Sequence, residues 1–123
     1  MTTTAEGHAI QRSVRQSPRK MRLVIDLIRD QDVNAAYAIL KFNKKHAAKQ
    51  IAKTLKSAVA NAEQKAIAAN ERFDVDELVV SKAIVNGGQP LKRIHAAAQG
   101  RATPLMKRTS HVEIHVQSRK EKD

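Results

Sequence analysis

Cysteine is absent from the 123-residue chain, so neither a disulfide framework nor a thiolate metal centre is open to it, which fits a reducing intracellular compartment. Aromatic residues make up only 2% and comprise Tyr37, Phe42 and Phe73, with no tryptophan. Proteins that read single-stranded RNA stack its bases on aromatic platforms, so binding through phosphates and shape is expected here instead. No stretch approaches the ~18 apolar residues of a membrane span, and residues 1–7 are polar without an apolar signal core. The expectation is a soluble chain with no export signal, no membrane association and no small-molecule substrate. Repeats, low-complexity linkers and domain boundaries are also missing.

What is present is charge of one sign. Lys and Arg number 23 against 12 Asp and Glu, a formal net charge of +11, and the sequence pI is about 10.4. Such a chain repels itself until a polyanion neutralises it, and each phosphate that meets Lys or Arg also releases condensed counterions. Nucleic acid is the leading partner and an anionic membrane the second. With 41% hydrophobic residues the chain can still bury a modest core, so residues 1–123 are expected to form one domain.

Apolar spacing outlines the elements. Residues 7–15 alternate loosely and suggest a short strand or arm. Ser17-Pro18 predicts a helix start, with Ser capping free amides and Pro at the first helical position, and the helix runs from 18 to about 29. Met21, Val24, Ile25 and Ile28 form its apolar stripe, while Arg15, Arg19, Lys20 and Arg22 crowd its start. Cations there oppose the helix dipole, a cost most easily rationalised if phosphates come to this end. Asp32 or Asn34 caps a short second helix carrying Ala36, Tyr37, Ile39 and Leu40 that breaks near Phe42-Asn43. A third helix is predicted from about 44 into the low seventies. It buries Ala48, Ile51, Ala52, Leu55, Val59 and Ala62 and presents Lys49, Lys53 and Lys56 on the other side. That basic face lacks the Trp or Phe anchor of a membrane-surface helix. After the acidic turn Asp74, Asp76 and Glu77, residues 78–85 are strand-like; Val112, Ile114 and Val116 alternate with His111, Glu113 and His115 in the clearest strand, and a charged tail follows over 118–123.

Between those strands lie residues 86–108, poor in bulky apolar side chains, with Lys92, Arg93, Arg101, Lys107 and Arg108 and no acid. Pro90 and Pro104 each remove an amide donor, which suits the arms of an exposed ribbon. The expected tip is Ile94, His95, Ala96, Ala97, Ala98, Gln99 and Gly100. A two-stranded ribbon is marginal alone in water, and with no apolar face of its own this one needs an external scaffold, for which RNA is the natural choice.

At this point three segments show a resemblance: Ser17-Pro18-Arg19-Lys20-Met21-Arg22-Leu23-Val24, Leu55-Lys56-Ser57-Ala58-Val59-Ala60-Asn61-Ala62-Glu63, and Gly100-Arg101-Ala102 followed by Lys107-Arg108-Thr109-Ser110-His111-Val112. In order and spacing the chain resembles the family of bacterial large ribosomal subunit protein number twenty-two over residues 7–116. The resemblance implies an α+β fold of three helices packed on a small antiparallel sheet with a long extended β-hairpin. It further implies no enzymatic activity and no cofactor, a cytoplasmic place in the large ribosomal subunit, and partners in 23S-type ribosomal RNA, neighbouring ribosomal proteins and the nascent polypeptide. The hairpin would line the peptide exit tunnel, and the protein would support subunit assembly. Carried over by position, Arg12, Arg15, Arg19, Lys20 and Arg22 would meet RNA from the body and Lys92, Arg93, Arg101, Lys107 and Arg108 from the hairpin. Thr109, Ser110 and His111 would meet RNA at the root and anchor the returning strand. The tip departs from the family pattern, which usually has arginine or histidine where Ala97 stands.

Other readings carry less weight. His111, Glu113 and His115 share a strand face but lack the helical spacing of a zinc motif. Asp74, Asp76 and Glu77 have no nucleophile or phosphate loop beside them. Gly87-Gly88 lacks the remaining parts of a dinucleotide fingerprint and is expected to allow a bend or bulge into the ribbon. A free DNA-binding or RNA-chaperone module using the same ribbon is the alternative function.

Overall fold

The computed structural model describes residues 6–96 and 98–118, apart from the side chains of His95 and Thr103. Ala97, expected in the tip, and the tail beyond Ser118 lie outside these described residues. In chain order the elements are β1 (Glu6–Val14), α1 (Pro18–Ile25), α2 (Val33–Phe42), α3 (His46–Ala68), β2 (Leu78–Gly87), β3 (Leu91–Ala96), β4 (Ala102–Lys107) and β5 (Ser110–Ser118). Short 3-10 turns occupy Val75–Glu77 and Ala98–Gly100.

The alternation seen in β5 is that of a strand with one face in the core: Val112, Ile114 and Val116 are buried and His111, Glu113 and His115 half-buried. β5 takes the centre of a three-stranded antiparallel sheet, order β1-β5-β2, with Ala9 and Ala83 both in register with Ile114. α3 lies across β1 and β5, α1 against β2 and α3, and α2 against α3. Met21, Val24, Ile25, Ile28, Ile51, Leu55, Val80, Val112 and Ile114 are fully buried between the layers. At about 1.5–3 kcal/mol per buried side chain, this cluster is the main source of stability. The architecture is α+β, with β3 and β4 forming a separate two-stranded antiparallel ribbon.

Three expectations are corrected. α1 ends at Ile25 and not near 29, because Leu27 and Ile28 tighten to carbonyls three residues back and Asp30 adopts a left-handed φ of 61°. The edge of β2 captures the chain there: Asp30 N donates to Val80 O at 3.0 Å and Val80 N to Gln31 O at 2.9 Å. Likewise α3 stops at Ala68. Asn70 turns left-handed at φ 56°, its amide donates to Ile67 O at 3.1 Å, and the Glu71 amide donates to Ala66 O at 2.8 Å, a two-bond helix stop. Ser17 holds the N-cap position of α1 without a side-chain cap bond; its backbone carbonyl accepts from Met21 N at 3.1 Å.

Glycine at 7 and 88 answers to crowding. A Cβ on Gly7 would lie 2.5 Å from Ala62 N and 2.6 Å from Ala58 O, so β1 rests directly on the backbone of α3. On Gly88 it would lie 2.5 Å from Thr109 Oγ1. The irregularities of register fall elsewhere, between Val80 and Lys82 and between Gln11 and Val14, so of the bend or bulge expected at Gly87-Gly88 there is no bulge, and Gly88 instead lies at a close crossing of two chain segments.

Candidate nucleic-acid interface

Helix α1 begins with cations that have no ion-pair partner among the described residues. Arg15, Arg19 and Lys20 are exposed around Ser17 and Pro18, and Arg12 is exposed on β1. Arg22 is different: its Nε and Nη2 donate to Val85 O at 3.2 and 2.9 Å. Arg29 does the same for Ala83 O at 2.9 Å, so these two guanidiniums cover the outer edge of β2. Arg22 thus has a structural duty that its place among the basic residues did not suggest.

In the ribbon, Leu91 pairs with Lys107, Arg93 with Leu105 and Ile94 with Pro104. Period-two alternation then puts Leu91, Arg93, Leu105 and Lys107 on one face and Lys92, Ile94, Ala96, Ala102, Pro104 and Met106 on the other. The apolar face judged missing from the sequence is therefore present, with Ile94 79% and Met106 46% exposed. It was hidden because its members come from both strands and meet only through the pairing. Ile94, His95 and Ala96 belong to β3, leaving the turn itself to Ala98–Gly100, where Gln99 and Gly100 take left-handed φ values of 64° and 71°. Arg101 follows the turn and is exposed.

Where ribbon and body join, Thr109 Oγ1 donates to Gln89 O at 2.7 Å and Gly88 N donates to Thr109 O at 2.9 Å. Thr109 and Ser110 are buried. His111 Nδ1 accepts from Ser13 N at 2.9 Å. This stretch holds the joint together, with the Thr109 hydroxyl engaged by the Gln89 carbonyl. Beside the joint lies an open cavity of about 520 Å³ lined by Arg15, Gln16, Ser17, Lys20, Leu91, Met106, Lys107, Arg108 and Thr109. It brings the body cations and the hairpin cations together, and among the described residues no acidic residue lines it. Lys20 and Gln16 also border a neighbouring groove of about 350 Å³ with Leu23, Lys45, His46 and Ala47, which extends the basic surface to the start of α3. Gln16, Leu91, Met106 and Lys45 were not singled out in the sequence; the apolar Leu91 and Met106 inside a basic segment were the available signal.

The sheet's outer face is polar but closed on itself. His115 Nε2 lies 2.9 Å from Glu113 Oε1, and the His115 ring stacks on His8 at 5.1 Å. That hydrogen bond, aided by the charges of His115, Lys82 and His8, holds the Glu113 carboxyl below its ordinary value against the opposing effect of partial burial. Among the described residues no cluster of His, Cys, Asp or Glu is arranged to hold a metal. The acidic segment is a turn in which the Asp74 side chain accepts from Asp76 N at 3.0 Å and Asn34 Nδ2 donates to Asp76 at 2.7 Å. No described helix is long and apolar enough to cross a membrane.

Comparison with known proteins is in keeping with this cationic surface. The family model described as ribosomal protein L22p/L17e matches residues 9–117. The chain is 50% identical over 114 residues to the large ribosomal subunit protein uL22 of Clostridium novyi, covering 93% of this chain and 98% of that one. It is 47% identical over 116 residues to the large ribosomal subunit protein uL22 of Oceanobacillus iheyensis, covering 94% and 98%.

Proposed function

Because the chain belongs to the ribosomal protein L22p/L17e family, we propose that it is a non-catalytic structural constituent of the large ribosomal subunit that binds the subunit's RNA in the cytoplasm. The observation that carries the RNA-binding part is the meeting of Arg15 and Lys20 with Lys107 and Arg108 around one acid-free cavity. Cations placed this way repel one another until phosphates lie between them, and folded RNA supplies phosphates at fixed spacing. Ribosomal RNA of the 23S type is the partner, with Arg12 and Arg19 extending the contact on the body and Lys92, Arg93 and Arg101 on the hairpin.

The ribbon is the working part. Two strands without a third are marginal in water, so β3 and β4 depend on surroundings that pack both faces. Arg93 and Lys107 meet phosphates on one side, while Ile94, Pro104 and Met106 lie along ribose and base surfaces on the other. In this reading the hairpin threads between RNA helices during assembly, beside neighbouring ribosomal proteins. Its turn at Ala98–Gly100 lines the exit tunnel, where the nascent polypeptide passes. The support for the tunnel role is the family pattern of the ribbon and its exposed, apolar-faced form.

Sedimentation tests the function. The tagged chain should travel with large subunits and remain bound through a wash at moderately high salt, since many phosphate contacts act together. Recovery mainly with DNA or with free RNA would favour the free chaperone or DNA-binding module instead.

A further inference from the structure

We propose that one phosphate of the bound RNA occupies the cavity between the start of α1 and the root of the β3–β4 hairpin, and that this shared anion sets the direction in which the hairpin points. The inference rests on the RNA-binding reading above and deepens it to a single site with a mechanical consequence. The cavity, about 520 Å³, is walled by Arg15 and Lys20 from the body and by Lys107 and Arg108 from the hairpin. All four are exposed, and none has an ion-pair partner among the described residues. Ser17 and Lys20, at the start of α1, line the same space, and the Ser17 side chain makes no cap bond, which leaves the positive end of the helix dipole uncapped by that side chain. Leu91 and Met106 add an apolar wall suited to the ribose of the same nucleotide. Gln16 lines the same space and adds a polar side chain to its wall.

The body does little else to aim the ribbon. Among the described residues β3 and β4 make their extensive contacts only with each other. Their tie to the body is the joint at Gly88, Gln89 and Thr109, with bonds of 2.9 and 2.7 Å. Such a joint works as a pivot. Without an anion, four like charges on its two sides push the ribbon away from α1; a phosphate between them converts repulsion into attraction and locks one angle.

The absence of cysteine makes the angle measurable in the full chain. Nitroxides on Gln64→Cys in α3 and Ala96→Cys in β3 report the body-to-hairpin distance by pulsed electron spin resonance. Inorganic phosphate and a short ribo-oligonucleotide should each collapse a broad distance distribution to one narrow peak, while chloride at matched ionic strength should not. The paired changes Arg15→Gln with Lys20→Gln, or Lys107→Gln with Arg108→Gln, should each abolish the collapse, and Lys41→Gln on α2 should leave it intact. A distribution already narrow without anion, one that ignores phosphate and oligonucleotide, or a collapse that survives either paired change would overturn the proposal. If the chain still sediments with large subunits in those cases, the ribosomal assignment stands without the pivot. Failure to sediment would remove both.

Discussion

Gly7 has no room for a side chain, because the atoms 2.5 and 2.6 Å from its missing Cβ belong to the backbone of α3 and cannot step aside. Gly7→Ala should therefore lower stability by about 1–3 kcal/mol, the usual cost of overpacking, and shift the urea midpoint without altering the slope. Glu113 carries a different sensitivity. Its carboxyl is held below the ordinary value in the folded state by the hydrogen bond with His115, so the unfolded chain takes up the proton first. The stabilisation is complete above the unfolded carboxylate value and is lost as pH falls through the folded one. A series of urea midpoints across the acid range should show that decline, and Glu113→Gln should flatten it. Arg22 has a role that its neighbours in the sequence did not announce: it stands with Lys20, and its guanidinium in the structure seals the carbonyl of Val85.

At the scale of elements, the hairpin holds exposed cations outside the core, while the helices and the three-stranded sheet carry the fold. Replacing Lys92, Arg93, Lys107 and Arg108 together with Ala should flatten the dependence of log affinity on log salt by about 0.7–0.9 per lost phosphate contact. Filter binding to large-subunit RNA over a salt series measures it, and an unchanged slope would remove these residues from the interface. Much of this level was legible in the residues themselves. The stripe Met21, Val24, Ile25 and Ile28, the alternation around Ile114 and the proline-flanked basic segment each name an element, since a single period decides each one. Helix ends were less visible: Ile28 continues the stripe but sits past the last helical residue, because β2 takes the next backbone groups. The apolar ribbon face and the cavity at the root depend on register between segments far apart in the chain, and periodicity within one segment carries no record of it.

For the whole molecule, body and ribbon are separable tasks. Gly87 pairs with Ser110, so the sheet can close across a short turn if the ribbon is removed. Replacing residues 90–108 with a tight glycine-containing turn should leave the unfolding free energy of the body within about 0.5 kcal/mol, since the deleted stretch contributes nothing to the core. The same variant should lose its hold on large subunits when sedimented. The sheet order β1-β5-β2 has a further consequence for the chain as it is made. The first strand and the second never pair with each other; both wait for β5, the final described strand, to slot between them. During synthesis the helices and the ribbon thus emerge ahead of the strand that joins the two edges, so truncation before Ser110 should abolish cooperative folding, and the basic ribbon is free to find RNA before the body has closed.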